Sequence, residues 1–169
     1  MMNESEGLAA ARATLVRDIP LAEALGVRIE RLDGGEVELS APFAQNRNGH
    51  GTLFGGSAVS VALLAGWLLV HGWVESTGVD ADVVIHELDA RFDAPITDDV
   101  RARATAPPAR ARERFERTLA KRGRARVDIP IRVGGRGPKQ GTTLVGRYVA
   151  LVRGQAERPV TEPGGLGAG

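Results

Sequence analysis

The residues best suited to chemistry in this 169-residue chain lie in one stretch, Asn46-Arg-Asn-Gly-His-Gly-Thr-Leu-Phe-Gly-Gly-Ser57. Polar side chains open it, two adjacent glycines close it, and an apolar run follows that reads as helix. The first N–H groups of a helix have no partner inside it and lie at the positive end of its dipole. Gly55 and Gly56 carry no side chain to keep a ligand away from them. Such a site suits negative charge growing on a carbonyl oxygen under attack. A turn at Asn48-Gly49 and a cap at Ser57 explain the same residues without any function.

Other candidates have plain structural readings beside the chemical ones. His50 could polarise a carbonyl or carry a proton, and an exposed loop histidine explains it equally. Ser57 and Ser60 have no histidine–carboxylate pair beside them in the sequence, so capping and helix packing are preferred to a nucleophile. Glu87, Asp89 and Arg91 share one strand face, opposite His86, Leu88, Ala90 and Phe92, and read as solvent-facing charges. From Arg110 to Arg126, eight basic residues are tempered only by Glu113 and Glu116. That segment is either a solvated helix face or a surface for phosphates or an acidic protein. One interleaved aromatic, Phe115, is thin support for RNA.

Around the loop the pattern is regular. A short helix over about Leu8–Val16 precedes Pro20. Leu25–Leu32 and Glu36–Ala41 alternate around Asp33-Gly34-Gly35 and form a hairpin. Gly55–Val74 is apolar all round and must be wrapped on every side. Strands follow at Ala81–Phe92 and Val100–Thr105, then a basic helix at Ala109–Arg122 with Phe115 and Leu119 on one face. The last strands are Arg124–Val133 and Thr142–Arg153. Pro130 lacks a ladder donor and points to an edge position or a bulge. The fold class is therefore α+β: an antiparallel sheet curved around one long apolar helix. The open strand edges would be closed by pairing two copies. Residues 1–20 form a helical extension, 21–153 one domain, and 154–169 a disordered Gly/Pro-rich tail.

Composition narrows the classes. A net charge of +1 gives no global attraction to nucleic acid or anionic membrane. With no cysteine there are no disulfides, no thiolate metal site and no cysteine nucleophile. The acidic start lacks the features of a signal peptide, and a cytoplasmic location is expected. No formally charged residue lies between Arg47 and Glu75. The densest apolar run, Ala58–Val70, is nonetheless shorter than the roughly 20 residues of a membrane span, and a buried central helix is preferred.

The spacing Asn48-x-x-Gly51-x-x-Phe54-Gly55-Gly56 resembles the N-x-x-G-x-x-H-G-G signature of hotdog thioesterases of the phenylacetate-pathway type. A closer resemblance, over roughly Leu21–Val152, is to the putative thioesterase family of the YiiD C-terminal type. It is carried by the whole Asn46–Ser57 loop, Ala65-Gly-Trp67, Ala94-Pro-Ile-Thr97 and Phe115–Arg126. It implies a hotdog homodimer or homotetramer acting as a hydrolase on acyl-CoA or acyl-carrier-protein thioesters, with the site at the dimer interface and without cofactor, metal or nucleic acid. The N–H groups of Gly56 and Ser57 would bind the oxyanion, while Asn46, Asn48 and His50 orient thioester or water. Phe54, Gly55, Ser60, Leu64 and Trp67 would line the acyl path, and Arg122 and Arg124 would meet the phosphates or the carrier. Two positions depart from the phenylacetate-type pattern. Phe54 replaces its histidine, and Leu63 stands seven residues after Gly56, where a carboxylate would activate water. A base must then come from elsewhere, such as His50 or Glu87 of either subunit. The rivals are a dehydratase or tailoring enzyme on the same thioesters, and a non-catalytic acyl-binding protein.

Overall fold

The computed structural model describes residues 4–137 and 140–154. In chain order the elements are α1 (Glu4–Asp18), α2 (Leu21–Ala24), β1 (Arg28–Leu32), β2 (Glu36–Ala41), α3 (Phe43–Asn46), α4 (Gly55–Thr77), β3 (Ala81–Phe92), β4 (Val100–Thr105), α5 (Ala109–Arg122), β5 (Arg124–Gly134) and β6 (Gln140–Val152). The first helix runs further in both directions than its apolar pattern suggested, and β1 starts three residues later. Beyond Gly154, the tail lies outside the described residues.

Six antiparallel strands form one sheet in the order β1-β2-β4-β5-β6-β3. Alternation is why they pair as they do. Val37, Leu39, Val100, Ala102, Ala104, Ile129, Ile131 and Val133 are essentially inaccessible, while Glu38, Arg101, Arg103 and Arg132 line the opposite face. On that outer face Arg101 and Arg103 pair with Glu38, and Arg147 joins Glu87 to Asp128. The inner face wraps α4, whose apolar circumference touches β2 to β6. By length and composition α4 could cross a membrane, yet 67% of its most apolar window is buried inside the fold. Gly78 and Gly123 end α4 and α5 with φ of 70° and 67°, the left-handed region that a side chain resists.

Helix α5 docks through Phe115 and Leu119, 2% and 1% exposed. Phe115 meets Trp73 edge-to-face at 6.2 Å, and the Arg112 guanidinium lies 5.4 Å from the Trp73 ring. Pro130 pairs with Val145 of β6 without a bulge. The β4 ladder stops at Ala104–Ile131, so β5 is locally an edge at the proline.

Strand β3 borders the sheet and, among the described residues, has one neighbour, β6. Arg153 N–H donates to Asp80 O and Asp93 N–H to Gly141 O. With the register on either side, this turns the main-chain groups of Val83, Ile85, Leu88, Ala90 and Phe92 away from β6 toward the open edge. A bulge at His86 separates Ile85–Tyr148 from Glu87–Arg147. Ala81, Val83 and Ile85 therefore share the inner face with Leu88, Ala90 and Phe92, despite the change from odd to even positions.

Candidate active site

The loop between α3 and α4 is fixed by its own asparagines. Asn48 Oδ1 accepts the N–H groups of His50 and Thr52 at 2.9 and 3.2 Å, and Asn48 Nδ2 donates to Thr52 Oγ1 at 2.8 Å. Asn46 is 2% exposed; its Nδ2 donates to the carbonyls of Leu25 and Pro42. Its Oδ1 is buried without a hydrogen-bond partner among the described residues. The Asn46 carbonyl accepts Phe54 N–H, and Leu53 N–H donates to Ile96 O. The loop is thereby tied to α2, α3 and the segment after β3.

Helix α4 begins here with no side-chain cap; its first internal bond runs from Ala58 N–H to Phe54 O. The N–H groups of Gly55, Gly56 and Ser57 precede that bond. Two exposed aromatics flank them. A Cβ on Gly56 would lie 2.3 Å from Phe54 Cε1, and one on Gly55 would lie 3.2 Å from Phe92 Cε1. The glycines thus let two rings lie against the helix start, whatever else binds there. A cavity of about 290 Å³ opens beside it, lined by Leu53, Gly55, Ala58, Phe92 and Ile96 among others.

A larger groove of about 760 Å³ runs along α4 between the α1–α2 corner and β3. Its floor is the stripe Ser60, Leu63, Leu64, Trp67 and His71, which helical spacing places on one face. Trp67 crosses to the edge strand, its Nε1 donating to Val83 O at 3.0 Å. His71 stacks on Trp67 at 4.5 Å between centroids and 10° between planes. His71 Nε2 is 3.3 Å from Glu75 Oε1, out of line for a hydrogen bond. Tyr148 of β6 completes the wall and donates to Leu63 O at 2.9 Å. Burial holds its phenol well above the ordinary range.

Loop, glycines, Phe54, Ser57, Ser60, Leu64 and Trp67 are thus brought along one helix. His50 is exposed and its imidazole bonds no described residue. Among the described residues no hydrogen bond joins Ser57 or Ser60 to a histidine, and His71 is eleven residues past Ser60, about 16 Å at the rise of a helix. Glu87 is on the outer face with Arg147 and Asp128, across the sheet from the loop, because the bulge gives the inner face to Leu88. Arg122 and Arg124 are exposed at the end of α5 and the start of β5. Leu63 lines the groove, and α4 holds no carboxylate before Glu75. Among the described residues no cluster could hold a metal ion. Sequence reasoning missed Phe92, Thr52 and Tyr148. Only Phe92 left a signal, as an apolar residue ending a strand just before a proline turn.

This architecture is a hotdog fold, a sheet wrapped on one central helix with a glycine-rich helix start. The family model described as Putative thioesterase (yiiD_Cterm) matches residues 8–152, and the chain belongs to that family. Among solved structures, a putative thioesterase from Shewanella oneidensis is 28% identical, with a TM-score of 0.76 over 87% of this chain and 99% of that one. A protein of unknown function from Chlorobaculum tepidum is 23% identical, with a TM-score of 0.83 over 89% and 98%. A Pseudomonas aeruginosa protein described as a probable thioesterase is 24% identical, with a TM-score of 0.74 over 85% and 95%.

Proposed function

We propose that the protein hydrolyses acyl thioesters, of coenzyme A or of an acyl carrier protein, by direct attack of water without a covalent intermediate. The observation that carries this reading is an uncapped helix start with a groove that begins one turn further along the same helix, at Ser60, in a member of a thioesterase family. The thioester carbonyl meets the N–H groups of Gly56 and Ser57, which stabilise the oxyanion as it forms. The acyl chain lies over Ser60, Leu64 and Trp67. Asn46, held by the carbonyls of Leu25 and Pro42, keeps the loop in place to orient thioester or water. Asn48 acts by holding the loop, and His50 is the proton acceptor on it. Arg122, Arg124 and their neighbours offer charge to coenzyme A phosphates or an acidic carrier. The same reading pairs two copies through the free edge of β3, which roofs the groove, and places the protein in the cytoplasm.

A second reading, a non-catalytic acyl-binding protein, draws on one observation: Leu63 occupies the groove where a carboxylate would serve hydrolysis. A thiol-release assay over acyl-CoA lengths separates the two. Wild type should turn over, and Asn48→Ala should fall by about a hundredfold, as lost oxyanion geometry typically costs. If no length releases thiol while acyl-CoA still binds, hydrolysis of coenzyme A thioesters is excluded, and acyl-carrier-protein thioesters or non-catalytic acyl binding take its place.

A further inference from the structure

We propose that Trp67 is the ruler of the acyl groove and sets the substrate class as medium-chain, saturated acyl groups; this rests on the thioester reading above. Three observations meet at this side chain. Its indole is held at both ends, by the bond from Nε1 to Val83 O and by the stack on His71, so it cannot swing aside for a longer chain. It also divides the groove by polarity. On the side of the helix start the lining is Ser60, Leu63, Leu64, Ile85 and the Tyr148 ring; beyond it the charged groups of Asp18, Asp82 and Arg153, with His71, are set among Ile19, Leu21 and Ala81. Finally, the apolar reach is short. Ten residues separate Ser57 from Trp67, about 15 Å along the helix axis, and side chains lean toward the helix start, which shortens the path. With 1.52 Å bonds advancing about 1.25 Å each along an extended chain, that length holds about ten carbons.

Energetics make the boundary selective. Each methylene moved from water onto the apolar half strengthens binding by about fourfold. A methylene pushed past Trp67 meets charged groups and gains little. Affinity should therefore climb with length and then level off at the indole.

The test compares thiol release from butyryl- through palmitoyl-CoA by wild type, Trp67→Ala and Ser60→Phe, with a thermal melt of each protein. The expected optimum is near decanoyl for wild type, myristoyl or longer for Trp67→Ala, and hexanoyl or shorter for Ser60→Phe. If Trp67→Ala does not fold, Ser60→Phe still decides. Length profiles that coincide with the wild type in every folded variant overturn the proposal. If wild type releases no thiol at all, hydrolysis fails separately. Binding of non-hydrolysable S-alkyl coenzyme A thioethers over the same lengths then reads the ruler: the shifted pattern upholds it and coincident profiles reject it.

Discussion

The Tyr148 hydroxyl donates to the main-chain carbonyl of Leu63 at 2.9 Å, fastening the last strand to the middle of the central helix. The contact exists because Gly66 leaves a notch: a Cβ there would lie 2.3 Å from the hydroxyl oxygen and 2.6 Å from Cζ. Gly146 clears the same ring on the strand side, with a Cβ distance of 2.9 Å to Cε2. In an exposed helix, glycine to alanine would stabilise by about 1 kcal/mol. Here the added methyl drives into a buried ring, and overpacking of that kind typically costs about 1–3 kcal/mol. Gly66→Ala should therefore destabilise in urea unfolding, against the helix scale, while Tyr148→Phe should lose about 1 kcal/mol, the net worth of one hydrogen bond. Gly66→Ala more stable than wild type would show that the ring does not sit in the notch.

Acid should loosen the outer face before the core. Asp128 is held below the ordinary carboxylate range by its bonds from Arg147, and Asp99 by the Phe43 N–H and Arg136. For Glu38 burial alone would raise the value, but the bonds from Arg103 and Arg101 carry it below. A carboxylate with a lowered folded value stabilises above its unfolded value, and that contribution disappears as pH falls through the lowered one. The window is below about pH 4. Melting temperature should hold steady from neutrality to that point and drop beneath it. Asp128→Asn should flatten part of the drop, a modest part because these pairs are largely solvated. A melt curve identical to wild type at every pH would remove Asp128 from the account.

The open edge of β3 makes its own prediction. Val84, Ile85 and Phe92 are 44%, 41% and 60% exposed along it, and an unpaired edge of that length and apolarity invites a second strand. Wild type should sediment as a dimer or a multiple of one. Val84→Lys with Ile85→Lys, both exposed along the edge, should shift it toward monomer without unfolding it. A wild-type monomer at micromolar concentration would sink the edge-pairing reading.

Much of this fold could be read from residue order. Glu36–Ala41, Val100–Thr105 and Ala109–Arg122 alternate or repeat cleanly, because each has one face in the core and one in water. The α4 boundary was readable from Gly55-Gly56 for the same reason that its site is: the helix start needs room. What escaped was anything created by contact between distant segments. The Tyr148–Leu63 bond joins residues 85 positions apart, and no local pattern encodes it. Asn48 was legible as a polar loop residue but not as the organiser of its own turn, since that depends on how Thr52 folds back. Glu87 shared a face with Asp89 and Arg91 as its charge suggested, and that face pairs with Arg147 and Asp128 across the sheet.

The extra residue at His86 sets the phase of the whole edge strand. Before it, the inward positions are odd-numbered; after it, they are even. Removing that single residue would close the bulge and leave both faces as they are, whereas straightening the strand with His86 kept in the ladder would exchange the two sides of everything beyond. Glu87, Asp89 and Arg91 would then be aimed at the helix, and Leu88, Ala90 and Phe92 at water. A one-residue deletion at His86 would therefore be tolerated, while a further inserted residue in this strand would need a compensating loss before Pro95.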